Sequence, residues 1–325
     1  IAVVIPCYRV KRHIVDVITA IGPGVDQIFV VDDACPQASG AHVREHVHDP
    51  RVRVIVHETN RGVGGATCTG YRHAFDAGAD IVVKVDGDGQ MDPTLIGRFV
   101  QPILDGRADY TKGNRFWDLE QIRQMPAMRL FGNAVLSLMT KFSSGYWNAF
   151  DPTNGFTALS ATAAEHLPFD KISERYFFET DMMFRLNTIR AVVIDIPMDA
   201  KYEDEESNLK ISRIIGEFLF KHIRNFFKRV FYNYFLRDMS IASLQLPIGI
   251  LLTLFGIIFG ISSWISSSVA GVETSAGTVM IAALPLIVGF QLMLAFLSYD
   301  MQTMPNRQIT SLINPEGLPQ SDNQP

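Results

Sequence analysis

A short acidic run, Asp86-Gly87-Asp88-Gly89-Gln90, follows the apolar stretch of residues 80–85. Two carboxylates one residue apart, on a backbone flanked by glycine, can direct oxygen ligands at a single hard cation. Mg²⁺ and Mn²⁺ prefer such ligands and usually share them with substrate phosphates. A polar turn is the alternative, because Asp and Gly are favoured in turns. The run alone does not decide between a metal site and a turn.

A second pair of carboxylates, Asp32-Asp33, ends the apolar stretch of residues 28–33. At the carboxyl end of a strand, such groups can accept hydrogen bonds from the N–H groups of a base or from ribose hydroxyls. Helix capping or a turn is again the alternative. Open α/β sheets bind their ligands beyond the carboxyl ends of the strands, which is where both acidic sites fall.

The first hundred residues alternate between strand and helix patterns. Short apolar runs lie at residues 1–5, 27–31, 52–56 and 81–85, with helix-compatible segments near residues 11–20, 39–47, 64–77 and 93–104. This alternation predicts an α/β fold with a mostly parallel central sheet. A flavodoxin-like or Rossmann fold has the same alternation, so it does not name a function. Farther on, we expect a strand entering a loop at residues 110–116, a turn and then a strand within 151–160, and a strand at 192–197. Helices are expected near residues 128–142 and 177–188, and an acidic loop at 202–207.

Composition changes near residue 211. Residues 211–237 combine eight Phe and Tyr with a single acidic residue and six basic ones, which are Arg213, Lys221, Arg224, Lys228, Arg229 and Arg237. This pattern predicts amphipathic helices in a membrane interface, where each basic residue near an anionic surface contributes about 1 kcal/mol. A packed helix of a soluble domain is the alternative.

Two uncharged stretches, residues 241–265 and 278–299, are each long enough to cross a hydrocarbon core of about 30 Å. The connection between them has no Lys or Arg, whereas basic residues precede the first stretch and Arg307 follows the second. The positive-inside rule then places both ends in the cytosol. We expect a transmembrane hairpin over residues 239–300 and a polar, disordered tail over residues 301–325.

Charge and cysteine content exclude two classes of protein. The net charge is −5, and no basic stripe occurs in the first two hundred residues, which argues against nucleic-acid binding. Cys7, Cys35 and Cys68 are odd in number and not in metal spacing, so a disulfide framework is not expected. The globular part is expected in a reducing compartment.

Several motifs together resemble one enzyme family. Ile5-Pro6-Cys7-Tyr8, Val31-Asp32-Asp33, Asn60-Arg61-Gly62-x-Gly64-x-Ala66 and Asp86-x-Asp88-x-Gln90 have the order and spacing of family 2 glycosyltransferases with a GT-A fold. Further motifs are similar to the branch that acts on polyprenyl phosphates, which includes dolichyl-phosphate mannose synthase and bacterial undecaprenyl-phosphate glucosyltransferases. These motifs are Lys112-Gly113-Asn114-Arg115, Arg129 with Asn133, and Asn154-Gly155-Phe156.

The resemblance implies an inverting transferase that moves a sugar from a UDP- or GDP-linked donor to undecaprenyl or dolichyl phosphate. The nucleotide-sugar would be bound by Pro6, Tyr8, Asp32, Asp33, Asp86 and Lys210. The Mg²⁺ or Mn²⁺ ion would be surrounded by Asp86, Asp88 and Gln90, of which the last two are the expected direct ligands. Phosphate oxygens would be contacted by Arg115, Arg129 and Asn133, since the fork of arginine suits a phosphate.

The catalytic base is the least determined role. Glu179, in Glu179-Thr180-Asp181, aligns with the acidic motif that supplies the base, and Asp151 competes with it; Asp181 and Asp86 are further catalytic candidates. A lipid phosphate has a second pKa of about 6, as other phosphomonoesters do. The nucleophile is therefore already ionised near neutral pH, and a strong base is not required.

Other functions fit less well. A calcium loop would need glycine and glutamate where Met91 and Gly97 stand. A processive polysaccharide synthase would carry a Gln-x-x-Arg-Trp motif and more spans, and a silent nucleotide-sugar-binding scaffold would not need the intact motifs. We expect a cytosolic catalytic domain over residues 1–210, juxtamembrane helices over 211–238, self-association, and residence in a bacterial or archaeal plasma membrane or the endoplasmic reticulum.

Overall fold

The computed structural model describes residues 1–118, 122–123, 127–199 and 211–313, without the side chains of residue 129 and residues 211–215. The predicted acidic loop at 202–207, Lys210 and the last part of the predicted tail lie outside these residues. The described residues form two compact units: those up to residue 226 together with residues 305–313, and residues 227–304.

The first unit contains a seven-stranded sheet among its described residues, with the strand order β3-β2-β1-β4-β6-β5-β7. The strands are β1 (Ala2–Cys7), β2 (Gln27–Asp32), β3 (Val52–Val56), β4 (Ile81–Lys84), β5 (Tyr110–Asn114), β6 (Thr157–Ser160) and β7 (Val193–Pro197). Strand β6 runs antiparallel to both of its neighbours, and the other pairs are parallel. The mostly parallel α/β sheet predicted from the sequence is confirmed.

Helices follow the predicted segments closely. In the first unit they are α1 (Ile14–Thr19), α2 (Ser39–His46), α3 (Val63–Asp76), α4 (Ile96–Leu104), α5 (Ala127–Ser144), α6 (Ala161–Glu165) and α7 (Phe178–Thr188). Helix α8 (Ile211–Phe231) continues into a π-helical turn at Tyr232–Arg237, and α9 (Ile241–Ala270), α10 (Ala276–Gln302) and α11 (Ile309–Ile313) follow.

Two apolar cores cover the two faces of the sheet. In β1, Val3 and Ile5 belong to one core, whereas Ala2 and Val4 belong to the other. Successive side chains of a strand point to opposite faces, so a strand buried on both sides reads as a continuous apolar run. This is why the first strand is apolar throughout.

The second unit holds two helices that are long and apolar enough to cross a membrane, α9 and α10. They pack closely through small residues. A Cβ atom added to Gly256 would lie 2.7 Å from the Ala282 carbonyl oxygen, and one added to Gly249 would lie 3.0 Å from that of Gly289. Glycine therefore permits the close approach of the two backbones.

A buried ion pair also lies within the second unit. The guanidinium of Arg229 donates to both carboxylate oxygens of Asp300, at 2.5 and 3.0 Å, and the Tyr234 hydroxyl donates to the same carboxylate at 2.5 Å. Arg229 is only 1% exposed. Arg229 is therefore not part of the predicted basic face of residues 211–237, because it is buried and paired with Asp300.

The tail differs from the sequence prediction. Helix α10 extends to Gln302, and the short helix α11 packs on the first unit with Ile309 buried in its second core. The Ile309 N–H donates to the Asp109 carboxylate at 3.0 Å, and burial raises the pKa of this carboxyl to about 6. The prediction of a disordered tail is wrong for these residues. Their order depends on one buried isoleucine and one hydrogen bond to a distant aspartate, and so short a helix leaves no recognisable pattern in the sequence.

We predict that Gly256→Ala lowers the thermal unfolding midpoint in detergent micelles, because the new methyl group meets a backbone oxygen that cannot move freely. Overpacking of this kind costs about 1–3 kcal/mol. Gly277→Ala is the matched control, since its added Cβ would lie 3.9 Å from the closest side-chain atom, Ser275 Oγ. An unfolding midpoint of Gly256→Ala equal to that of the control would contradict the close packing.

Candidate active site

The acidic run after β4 forms a tight turn that also presents oxygen atoms. Gly89 has a φ of +82°, which glycine adopts without strain, and Asp88 Oδ1 accepts the Gln90 N–H at 3.0 Å. A Cβ atom on Gly87 would lie 3.0 Å from Ile14 Cδ1, so the loop packs tightly on the core. The turn and the ligand interpretations are therefore compatible, because the turn is what brings the acidic side chains to the sheet edge.

Lys84, the last residue of β4, is the centre of the site. Its side chain is fully buried, and its Nζ donates to Asp86 Oδ1 at 2.7 Å and to the Gly155 carbonyl at 3.1 Å. The same Nζ lies 3.6 Å from Glu179 Oε1. Burial disfavours the ammonium, but the two carboxylates outweigh that cost and raise the Lys84 pKa. One buried cation therefore holds two candidate catalytic carboxylates.

Glu179 is a mostly buried carboxyl whose pKa differs from its ordinary value. It lies in the first turn of α7, and its side chain is 15% exposed. Burial raises the pKa of Glu179; Lys84 opposes this rise, and the nearby Asp86 adds to it. A carboxylate whose pKa is moved toward neutrality is a better proton acceptor during catalysis.

The donor set fits a hard divalent cation. Asp86, Asp88 and Gln90 are half-exposed, follow one strand end, and offer two carboxylates and an amide oxygen. Asp86 Oδ1 accepts a hydrogen bond from Lys84. Asp86 Oδ2 lies beside the Cα atom of Gly155, so a Cβ atom added to Gly155 would overlap it. Carboxylate and amide oxygens are the ligands that Mg²⁺ and Mn²⁺ prefer.

Asp32 and Asp33 organise loops in this structure. Asp32 accepts the N–H groups of Cys35 and Gly40 at 2.7 and 2.6 Å, which fixes the start of α2. Asp33 accepts the N–H groups of Arg61 and Gly62 at 2.8 and 2.7 Å. In this structure the two carboxylates therefore accept backbone N–H groups of loops and helix starts, as the alternative of helix capping or a turn had it. Their contact with a nucleoside stays a prediction.

The other residues predicted to bind the nucleoside lie at the same edge of the sheet. Pro6 pairs with Val31 across β1 and β2, directly before the two aspartates. The Tyr8 ring is 43% exposed, and the Arg9 guanidinium lies 5.3 Å from its centre. The ring is thus accessible beside the loops that Asp32 and Asp33 hold.

Arg115 and Asp151 form a buried bidentate pair. Arg115 donates from Nε and Nη2 to the two Asp151 oxygens at 2.8 and 2.7 Å, and its backbone N–H donates to the same carboxylate. Burial opposes ionisation of Asp151, but Arg115 outweighs it and lowers the pKa. A carboxylate that is fully buried, paired and of lowered pKa is a poor base, so the geometry argues against Asp151 in that role.

Asp181 has a structural position. It is completely buried and accepts hydrogen bonds from Ser173 N–H at 2.9 Å, Arg185 Nε at 3.1 Å and Asn225 Nδ2 at 3.1 Å. These bonds connect α7 to the preceding loop and to α8. Asp181 therefore stabilises the helix that carries Glu179 and is not brought to the reacting edge.

Of the other residues predicted to contact phosphate or nucleotide, the structure describes only Asn133, which is half-buried on α5. The side chain of residue 129 and the whole of Lys210 lie outside the described part of the chain. Lys112, in the same motif as Arg115, is buried and donates to the carbonyls of Phe150 and Asp151. Its role is to hold the loop that carries Asp151.

Two site residues were missed by sequence reasoning. Lys84 is the only charged residue in β4, and a charge inside an apolar strand is a visible signal for a buried pair. His57 follows β3 and joins Asp33 Oδ1 to Thr69 Oγ1, at 2.7 and 2.9 Å. Nothing in its sequence context distinguishes it from a surface histidine.

Comparison with known proteins finds relatives in archaea and bacteria. The UDP-N-acetylglucosamine–dolichyl-phosphate N-acetylglucosaminyltransferase of Methanococcus voltae is 28% identical over 63% of this chain and 86% of its own length. The undecaprenyl-phosphate mannosyltransferase of Micrococcus luteus is 29% identical over 58% of this chain and 78% of its own length. The polyprenol monophosphomannose synthase of Mycolicibacterium smegmatis is 26% identical over 66% and 80%.

Solved structures support the fold. Glucosyl-3-phosphoglycerate synthase from Mycobacterium tuberculosis, in complex with UDP, has a TM-score of 0.52 at 18% identity and covers 70% of this chain and 79% of its own. The same enzyme with Mn²⁺, UDP-glucose and phosphoglyceric acid has a TM-score of 0.51. The model for "Glycosyl transferase family 2" matches residues 2–167, about half of the sequence. With the motifs in register and the GT-A-like sheet observed, this chain belongs to glycosyltransferase family 2.

Proposed function

We propose that the protein is a membrane-anchored, inverting glycosyltransferase that moves a sugar from a UDP- or GDP-linked donor to a polyprenyl phosphate. The observation that carries the proposal is the Asp86–Lys84–Glu179 cluster beside the Asp88 and Gln90 oxygens. The three relatives named above are, by name, transferases of sugars to dolichyl, undecaprenyl or polyprenol phosphate, and two apolar helices follow the catalytic unit.

A divalent cation belongs to this proposal. Asp88 and Gln90, together with Asp86, would hold Mg²⁺ or Mn²⁺, and the ion would neutralise the diphosphate leaving group. A structural neighbour was solved with Mn²⁺ and UDP-glucose, which supports this class of cofactor. Lys84 would orient Asp86, because its buried ammonium donates to Asp86 Oδ1 at 2.7 Å.

Glu179 would act on the acceptor side. Its carboxylate can orient the acceptor or take a residual proton from it, while Lys84 limits the Glu179 side chain to one position. The acceptor phosphate is ionised already, with a second pKa of about 6. Binding and orientation therefore contribute more than proton removal, and Arg115 and the α5 residues Arg129 and Asn133 are the proposed phosphate contacts.

The direct test is product formation by the full chain in lipid. A panel of UDP- and GDP-sugars is offered with undecaprenyl or dolichyl phosphate, and lipid-linked sugar and free nucleoside diphosphate are measured. We expect both products to require a divalent cation and the lipid phosphate, and chelation to abolish them. Donor binding without product under every combination would instead support a non-catalytic scaffold, and polymer formation would support a processive enzyme.

We predict that Glu179→Gln retains more activity than Asp88→Asn. Loss of a metal ligand removes several kcal/mol of charge stabilisation, or about 10²–10⁴-fold in rate. Loss of the base costs less when the nucleophile is already ionised. Purified variants are compared in kcat with one donor, and Asp76→Asn, an exposed site at the end of α3, is the control. Equal and complete loss in both variants would show that Glu179 is indispensable.

We predict that Gly155→Ala lowers kcat by about 10²-fold, the effect of a displacement near 1 Å at a reacting centre. The added Cβ would overlap Asp86 Oδ2 and Lys84 Nζ, so both groups must shift. Gly97→Ala on α4 is the matched control, because nothing lies within 4 Å of its added Cβ. The thermal midpoint is measured for both; a folded Gly155→Ala enzyme with normal kcat would contradict the role given to the cluster.

A further inference from the structure

Helix α2 carries two histidines and a glutamate on one face near its end. His42, Glu45 and His46 stand at positions i, i+3 and i+4, which are neighbours on a helix surface. One donor atom of each residue, a ring nitrogen or a carboxylate oxygen, lies within 4.8 Å of those of the other two. The ring centroids of His42 and His46 are 4.0 Å apart. Three donor groups of metal-binding type therefore converge at one point of the surface.

The His46 ring is already oriented for a metal. Its Nδ1 lies 2.9 Å from the carbonyl oxygen of His42. Because a carbonyl oxygen only accepts hydrogen bonds, Nδ1 of the neutral ring carries the proton, and the lone pair of Nε2 is left for a metal. Histidines that bind metals usually donate their other ring N–H to a carbonyl or carboxylate in this way, which fixes the tautomer.

The surroundings of His42 favour the form that binds metals. Its side chain is half-buried. Partial desolvation, together with the positive charges of His46 and Lys11, lowers the pKa of His42, and Glu45 opposes this. The neutral imidazole, which is the metal ligand, is therefore favoured near neutral pH. Glu45 places a negative charge beside the rings, with its Oε2 3.8 Å from His46 Nδ1.

Another histidine of the chain shows what the pair adds. His166 also follows a glutamate, Glu165, and its Nδ1 lies 2.8 Å from the carbonyl oxygen of the residue four positions earlier. That residue is Thr162, so a hydroxyl takes the place of the second imidazole. His166 is therefore a matched control for His46, because the two share their local geometry and differ in the partner ring.

We propose that His42, Glu45 and His46 form a binding site for Zn²⁺ or a similar transition-metal ion. Two imidazoles and a carboxylate are the protein ligands of known tetrahedral zinc sites, with water in the fourth position. The oxygens of Asp88 and Gln90 suit hard cations instead, so the two sites select different metals. Donors around one Zn²⁺ are about 3.3 Å apart, a distance that small rotations of these partly exposed side chains reach.

The ion would hold the end of a short helix whose start is fixed already. Asp32 accepts the Gly40 N–H at 2.6 Å in the first turn of α2, and Arg44 donates to the Val54 carbonyl at 3.0 Å. A helix of eight residues gains little stability from its own hydrogen bonds. A metal that bridges the last turn would stabilise α2, which follows the loop of the predicted nucleoside site. The role of the ion is therefore structural and goes beyond the transfer reaction.

The test is zinc binding by the full chain in detergent micelles. The protein is stripped with a chelator and returned to excess Mg²⁺, and calorimetric titration with Zn²⁺ gives the stoichiometry and the Kd. We expect one Zn²⁺ per chain at micromolar concentration and a higher thermal unfolding midpoint when it is bound. His42→Ala and His46→Ala should each weaken binding by about tenfold or more, at least the loss that removal of an outer-shell partner causes. His166→Ala should bind zinc as the unsubstituted chain does.

Three results would overturn the proposal. Equal zinc affinity in His42→Ala and His166→Ala would assign the bound ion to other groups, such as the cysteines. Saturation only at millimolar zinc would show an ordinary pair of surface histidines. Loss of zinc binding in Asp88→Asn would place the ion at the candidate active site. The unfolding midpoint without zinc shows that each variant is folded, and binding is read without turnover, so the outcome does not depend on the proposed function.

Discussion

The buried ammonium of Lys84 is the interaction on which the site depends. It connects three separate parts of the chain, since Asp86 follows β4, Gly155 precedes β6 and Glu179 begins α7. A lone ammonium in this position would be strongly disfavoured by burial, and the neighbouring carboxylates offset that cost. The pairing of β4 with β6 brings Gly155 beside Lys84, and the first turn of α7 brings Glu179 to the same ammonium. The candidate metal-binding loop and the candidate base thus both contact the same buried ammonium.

Around Lys84, several predicted site residues hold loops and helices in place in this structure. Asp32 and Asp33 fix loops by accepting backbone N–H groups, and Asp181 ties α7 to its surroundings. Asp151 and Arg115 neutralise each other in a loop where Asp151 has a left-handed φ of +55°. Such a conformation is unfavourable for a non-glycine residue and persists where the surroundings determine it. Acidic motif residues in this fold are consequently as much part of its framework as of its chemistry.

Each unit contains a buried ion pair. The first buries Lys84 beside Asp86 and Glu179 at the carboxyl end of β4. The second buries Arg229, Asp300 and Tyr234 in one hydrogen-bonded group and otherwise consists of two apolar helices joined by small residues. Helix α5 of the first unit exposes large apolar side chains, among them Phe131 and Leu138.

The sequence by itself determined the periodic and local features: the alternating strands and helices, the two apolar helices, the aromatic and basic segment, and the motif residues that resemble family 2. These depend on spacing along the chain, so they can be read without coordinates. Only the tertiary structure decided which basic residue each carboxylate contacts. Glu179 and Asp86 contact Lys84, Asp151 contacts Arg115 and Asp181 contacts Arg185. It also left the large apolar side chains of α5 exposed. The pKa of a carboxyl and the exposure of a side chain depend on residues distant in sequence, and only folding brings those residues into contact.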